Sequence, residues 1–74
     1  MWIRSQNGTF LVNAQAIWTS SSHGKCLINA GTGEHEEGSY VVAEYSNEKS
    51  AIEILDKIEA SIGIGGRHYR MPPF

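Results

Sequence analysis

Ile3-Arg4-Ser5-Gln6-Asn7-Gly8-Thr9-Phe10-Leu11-Val12 sets the fold class of this chain, because two β-prone runs flank an Asn-Gly pair. Both central residues of a type I′ turn need positive φ, which Asn and Gly tolerate, so the spacing predicts a hairpin closed at Asn7-Gly8. A two-residue loop there pairs Gln6 with Thr9, Ser5 with Phe10, Arg4 with Leu11, Ile3 with Val12 and Trp2 with Asn13. Strand alternation then sends Ile3, Ser5, Phe10 and Val12 to one face, the natural core side. Trp2, Arg4, Gln6, Thr9, Leu11 and Asn13 take the other, a mixture of an aromatic, a cation and amides that suits a partly wet surface.

Working outward from the hairpin, Gln15 to Thr19 is a third β-prone run, and it ends in Ser20-Ser21-Ser22-His23-Gly24-Lys25, whose serines and glycine favour a turn. Cys26-Leu27-Ile28-Asn29 reads as the returning strand. Gly31 to Gly38 is polar and punctuated by glycine, which makes it a loop, and Tyr40 to Tyr45 is a fifth strand. The expected strands cover 2–6, 9–13, 15–20, 26–30 and 39–45. A helix over 47–62 follows: Ser46 or Asn47 caps it, Glu48 suits its positive first turn, and Gly63 suits the left-handed position past its end. Ala51, Ile54, Leu55, Ile58 and Ile62 make one apolar stripe for packing on the sheet. Lys49, Glu53 and Lys57 form an i, i+4 ladder on the solvated side, each pair contributing only about 0.2 to 0.5 kcal/mol. Arg67 to Met71 can add a short final strand, which Pro72-Pro73 ends for want of backbone donors. The order of elements predicts one α+β domain over residues 1–74, an antiparallel sheet of about five strands with a C-terminal amphipathic helix across it.

Seventy-four residues with 41% apolar and 19% charged side chains is ordinary globular composition. Chains of this size bury only about 60% of their unfolded surface, so the core is thin and a homo-oligomer is expected, with the apolar Met71 to Phe74 tail docked on a neighbour. Cys26, the only cysteine, cannot close an internal disulfide, which points to the reducing cytoplasm. The chain has neither a secretory start nor a stretch of about 20 apolar residues, so no membrane partner is expected. A formal charge of −2 disfavours non-specific nucleic-acid binding, but all eight acidic residues lie between Glu34 and Glu59. A fold that joins the two ends of the chain therefore makes a basic face.

Chemistry-bearing patterns are few. Serines and histidines are present, but the only aspartate, Asp56, sits on the polar side of the helix and no nucleophile elbow occurs, so no enzyme activity and no catalytic residue is expected. His23, Cys26, His35 and His68 lack the second cysteine or close histidine pair of a zinc site, so no metal is assigned. The glycines at 63, 65 and 66 follow a helix, whereas phosphate loops precede one, and Glu34-His35-Glu36-Glu37 lacks the spaced oxygens of a calcium loop. No cofactor is implied. The strongest constellation is Trp2, Arg4, Arg67, Tyr69 and Arg70, in which guanidinium groups can hold phosphate oxygens while aromatic rings stack on a base. The plainer account has Trp2 covering a core edge, Tyr69 packing inward and the arginines solubilising edge strands.

Ile3-Arg4-Ser5-Gln6 with Leu11-Val12-Asn13, Glu44-Tyr45-Ser46 leading into Glu48-Lys49-Ser50-Ala51 and Ile54-Leu55-Asp56-Lys57-Ile58, and Tyr69-Arg70-Met71-Pro72 together resemble a family of short phage and prophage proteins of Firmicutes. The Gly31 to Gly38 loop and the Pro73-Phe74 ending depart from that pattern. The resemblance implies a phage protein acting in the host cytoplasm, where small non-enzymatic proteins sequester immune signals or host proteins. The functional expectation is a counter-defence protein that holds a small anionic, nucleotide-like ligand. A protein-binding inhibitor of a host factor and a weak nucleic-acid binder are the alternatives.

Overall fold

The computed structural model describes residues 1–31 and 38–73. The elements are β1 (Trp2–Arg4), β2 (Leu11–Asn13), β3 (Ala16–Ser22), β4 (Lys25–Gly31), β5 (Ser39–Tyr45), α1 (Glu48–Gly63) and β6 (His68–Arg70). The fold is α+β with a single C-terminal helix and a short final strand, as expected. The sheet is not continuous, however: β2-β1-β6 and β3-β4-β5 form two three-stranded sheets, and β6 runs parallel to β1. Ile3 from the smaller sheet, Met71 just past its last strand, Ile28, Ala30, Ala43 and Tyr45 from the larger sheet, and Ala51, Ile54 and Ile58 from the helix share one core.

The first hairpin has the expected register, with Trp2 opposite Asn13, Ile3 opposite Val12 and Arg4 opposite Leu11, and with Ile3 and Ser5 buried. Its turn differs. The Gly8 amide donates to the Ser5 carbonyl at 2.9 Å, and only Gly8, with φ 76°, is left-handed, so Gln6-Asn7 is the turn centre and the regular strands stop at Arg4 and start again at Leu11. The Ser5 hydroxyl causes this: it donates to Asn7 Oδ1 at 2.7 Å and accepts from the Thr9 and Phe10 amides, holding the turn from inside. The type I′ turn lies instead at His23-Gly24, whose φ values are 50° and 78° and which lets the second hairpin pair as far as Ser22 with Lys25.

The larger sheet carries a bulge. Ile28 stands opposite Ala43 and Asn29 opposite Val41, so Val42 is an extra residue and two neighbours, Val42 and Ala43, are both buried. Gln6 attaches the smaller sheet at this point. Its amide donates to the Val42 carbonyl at 2.7 Å, and its side chain pairs with Glu44 as a peptide group would, Oε1 accepting from the Glu44 amide at 3.0 Å and Nε2 donating to the Glu44 carbonyl at 3.2 Å. The same Nε2 donates to the carbonyls of Pro72 at 3.2 Å and Pro73 at 2.8 Å. Residues 71–73 are therefore fastened to their own chain: Met71 is 2% exposed and its amide donates to the Arg4 carbonyl, which replaces the expected docking of Met71 on a neighbour, while Phe74 lies outside the described residues.

Asn47 is the helix N-cap, its Oδ1 accepting from the Ser50 amide at 2.8 Å. Ala51, Ile54 and Ile58 are buried, but Ile62, expected to continue the stripe, is 56% exposed at the cleft it lines with Trp2 and Ile17. The helix runs one residue further than expected, through Gly63, and the left-handed position is Gly65 rather than Gly63: Gly65 has φ 84° and donates to the Ile62 carbonyl, while the Gly66 amide reaches the Ser61 carbonyl at 2.7 Å. These two bonds make a Schellman motif. A side chain at Gly66 would collide with Ser61, so this glycine is required by close approach.

Two predictions follow from the fastening. Gln6→Ala should lower stability by about 1 to 2 kcal/mol, and Gln6→Glu, which turns a donor into an acceptor facing three carbonyls, should lower it further, as read by urea denaturation. Burial, and secondarily Tyr69, pushes the Tyr45 phenol up to about 12, and its hydroxyl donates to the Pro72 carbonyl at 2.9 Å. The neutral phenol belongs to the folded state, so its contribution is complete below pH 10 and is lost between pH 10 and about 12. Tyr45→Phe should flatten the alkaline fall in melting temperature while costing about 0.5 to 1.5 kcal/mol at neutral pH.

Candidate functional site

Parallel pairing of β6 with β1 brings the two basic ends of the chain together, with Trp2 opposite His68, Ile3 opposite Tyr69 and Arg4 opposite Arg70. Side chains on paired residues share a face, so the outer face of the smaller sheet carries two rows: Asn13, Trp2 and His68, then Leu11, Arg4 and Arg70. Trp2 is 48% exposed and Leu11 47%, and His68 and Arg70 are exposed as well.

The arginines converge at the first turn. Arg4 Nη1 donates to the Gly8 carbonyl at 3.0 Å, and Arg70 Nη2 lies 3.9 Å from the position a Gly8 side chain would occupy. Neither guanidinium has a carboxylate partner among the described residues. Like charges directly across a strand pair repel, which makes this end of the face a place where an anion relieves strain and gains charge-assisted hydrogen bonds.

Of the five residues singled out from sequence, Trp2, Arg4 and Arg70 lie on this face. Tyr69 does not: it pairs with Ile3 on the inner side and packs against the core. Alternation alone separates 69 from 70, so the two residues of one short strand cannot both face outward. Arg67 precedes β6, where its carbonyl accepts from the Trp2 amide at 2.9 Å. Its side chain lines a cleft of about 840 Å³ beside the helix, together with Met1, Trp2, Ile17, Leu55 and Ile62, so it flanks Trp2 from the side away from Arg4. His68, weighed from sequence only as a zinc ligand, is placed beside Trp2 by the same alternation rule once the strand partner is known.

Cys26 is buried and His23 sits at a hairpin tip, and no group of three potential metal ligands occurs among the described residues. Glu34-His35-Glu36-Glu37 lies outside the described residues. No helix among the described residues is long and apolar enough to cross a membrane. No family model, curated protein or solved structure matches the chain.

The electrostatic account separates a binding arginine from a structural one. Arg70→Gln should leave stability unchanged or raise it slightly at low salt, with the difference fading as salt is added. Tyr69→Ala should instead destabilise by about 2 kcal/mol or more, since it empties part of the core side. Thermal denaturation at two ionic strengths checks both.

Proposed function

We propose that this chain is a non-enzymatic binding protein that sequesters a small anionic, nucleotide-like ligand on the outer face of its smaller sheet. The reading rests on one observation: Arg4 and Arg70 stand opposite each other without a carboxylate partner among the described residues, one row from the exposed Trp2. In this reading the two guanidinium forks take phosphate oxygens and the indole of Trp2, extended by the imidazole of His68, stacks on the base. The resemblance to phage proteins suggests that such a ligand is a host signal held in the cytoplasm as a counter-defence measure.

A second reading, inhibition of a host protein, is favoured by Leu11, which adds an exposed apolar side chain to the same face. Interfaces of that kind centre on an aromatic or arginine anchor, and Trp2 with Arg4 would serve. The acidic 34–59 segment disfavours a nucleic-acid track.

Calorimetric titration with cyclic and linear nucleotides tests the first reading. Binding in the micromolar range should weaken by roughly tenfold or more in Arg4→Ala and in Arg70→Ala, because a charge-assisted contact contributes about 1.5 to 3 kcal/mol. Lys57→Ala, on the solvated side of the helix, should match the wild type. Equal losses in all three variants, or no nucleotide bound by the wild type, would sink the ligand reading and leave the inhibitor.

A further inference from the structure

We infer that two copies of this chain pair through the free edge of β3 to make one continuous sheet, with Thr19 on the two-fold axis. The observation behind this is an unguarded strand. Among the described residues β3 pairs only with β4, and its other side is the edge of the larger sheet. Edge strands are normally protected by charge, proline, a bulge or brevity, because their free backbone groups recruit other strands. Ala16 to Ser22 is seven residues long and holds no charge and no proline, and no charged side chain occurs anywhere from Ser5 to Gly24. The opposite edge, β5, is bulged at Val42 and clasped by Gln6.

The hairpin geometry says which groups are free. A two-residue turn makes Ser22 and Lys25 a hydrogen-bonded pair, and alternation along the ladder turns the N–H and C=O of Ile17, Thr19 and Ser21 outward. Those three residues complement themselves. With Thr19 on the axis, Thr19 pairs with its own copy and Ile17 with the copy's Ser21, each pair exchanging two hydrogen bonds. Trp18 then lies opposite Ser20 of the second copy, an apolar ring over a small residue. No like charges meet, which is what a strand needs to pair with itself.

The helix supplies an independent reason for a second copy rather than a lone peptide. Leu55, Glu59 and Ile62 line a cleft that Ala16 and Ile17 at the start of β3 share with Met1, Trp2 and Arg67, and Ile52, three residues before Leu55, continues the row along the helix. Ile52 and Ile62 remain 39% and 56% exposed. A two-fold axis perpendicular to the sheet keeps both helices on one side, so this apolar row faces its copy across the axis with Ile52 toward the copy's Ile62. The row is centred near the middle of the helix, as the β3 pairing is centred on the middle of the strand. Glu59, its single charge, shares the cleft with Arg67.

Sedimentation velocity of the full chain at 1 to 100 μM, paired with residue-resolved amide hydrogen exchange, decides the matter without needing any variant. The expected species has twice the 8.2 kDa chain mass, and the amides of Ile17, Thr19 and Ser21 gain protection as concentration rises. Thr19→Pro removes an outward N–H that the monomer does not use, so it should yield a monomer with unchanged circular dichroism. Ile62→Glu, at an exposed position, should raise the dissociation constant at least tenfold. A wild-type monomer throughout the range, or a dimer whose Ile17, Thr19 and Ser21 amides exchange freely, overturns the inference and leaves the edge to a strand from another protein. The nucleotide titration is read at Arg4 and Arg70, which do not line the cleft that Ile62 shares with Trp2, so either proposal can fail alone.

Discussion

The side chain of Gln6 imitates a peptide group, and most of what distinguishes this fold depends on that imitation. By offering Oε1 to the Glu44 amide and Nε2 to the Glu44 carbonyl, it gives the edge of β5 a partner where no strand is present. The remaining reach of Nε2 holds the Pro72 and Pro73 carbonyls, which cannot be fastened through their own nitrogens because proline has no N–H. One amide thus ties the first hairpin, the larger sheet and the tail together. With the tail held, Met71 fills the core and β6 is positioned beside β1.

The bulge at Val42 and the clasp at Gln6 are two halves of one solution. An extra residue in β5 shifts its alternation, so Val42 and Ala43 are both buried and the Val42 carbonyl accepts the Gln6 amide. The result is asymmetric: β5 has its edge engaged by Gln6, whereas β3 is regular and has no second strand beside it among the described residues.

The candidate site inherits its electrostatics from the same arrangement. Arg4 and Arg70 are at opposite ends of the chain and meet only because β6 inserts in parallel next to β1. Their guanidinium groups approach the Gly8 turn, where Arg4 is oriented by a carbonyl rather than a carboxylate. A guanidinium oriented by a neutral acceptor keeps its full charge available, which differs from an arginine in a salt bridge. Trp2 stands between this charged end and the apolar cleft that Arg67 borders, so the indole belongs to both surfaces.

Local chemistry was legible in the residues themselves. The hairpin register, the buried Ile3 and Ser5, the Asn47 cap and the stripe of Ala51, Ile54 and Ile58 follow from periodicity and capping, which act over a few residues and need no knowledge of distant partners. Where local rules competed, the fold chose: Ser5 moved the first turn off Asn7-Gly8, and His23-Gly24 took the left-handed pair instead. The split into two sheets, the parallel direction of β6 and the inward face of Tyr69 could not be read this way, because each depends on which strand a segment meets after the chain has folded back. Sequence by itself determined that the ends of this chain are basic and aromatic and its middle acidic. Only the tertiary structure decided which of those side chains share a face, since a strand's alternation acquires an inside and an outside when its neighbour is in place.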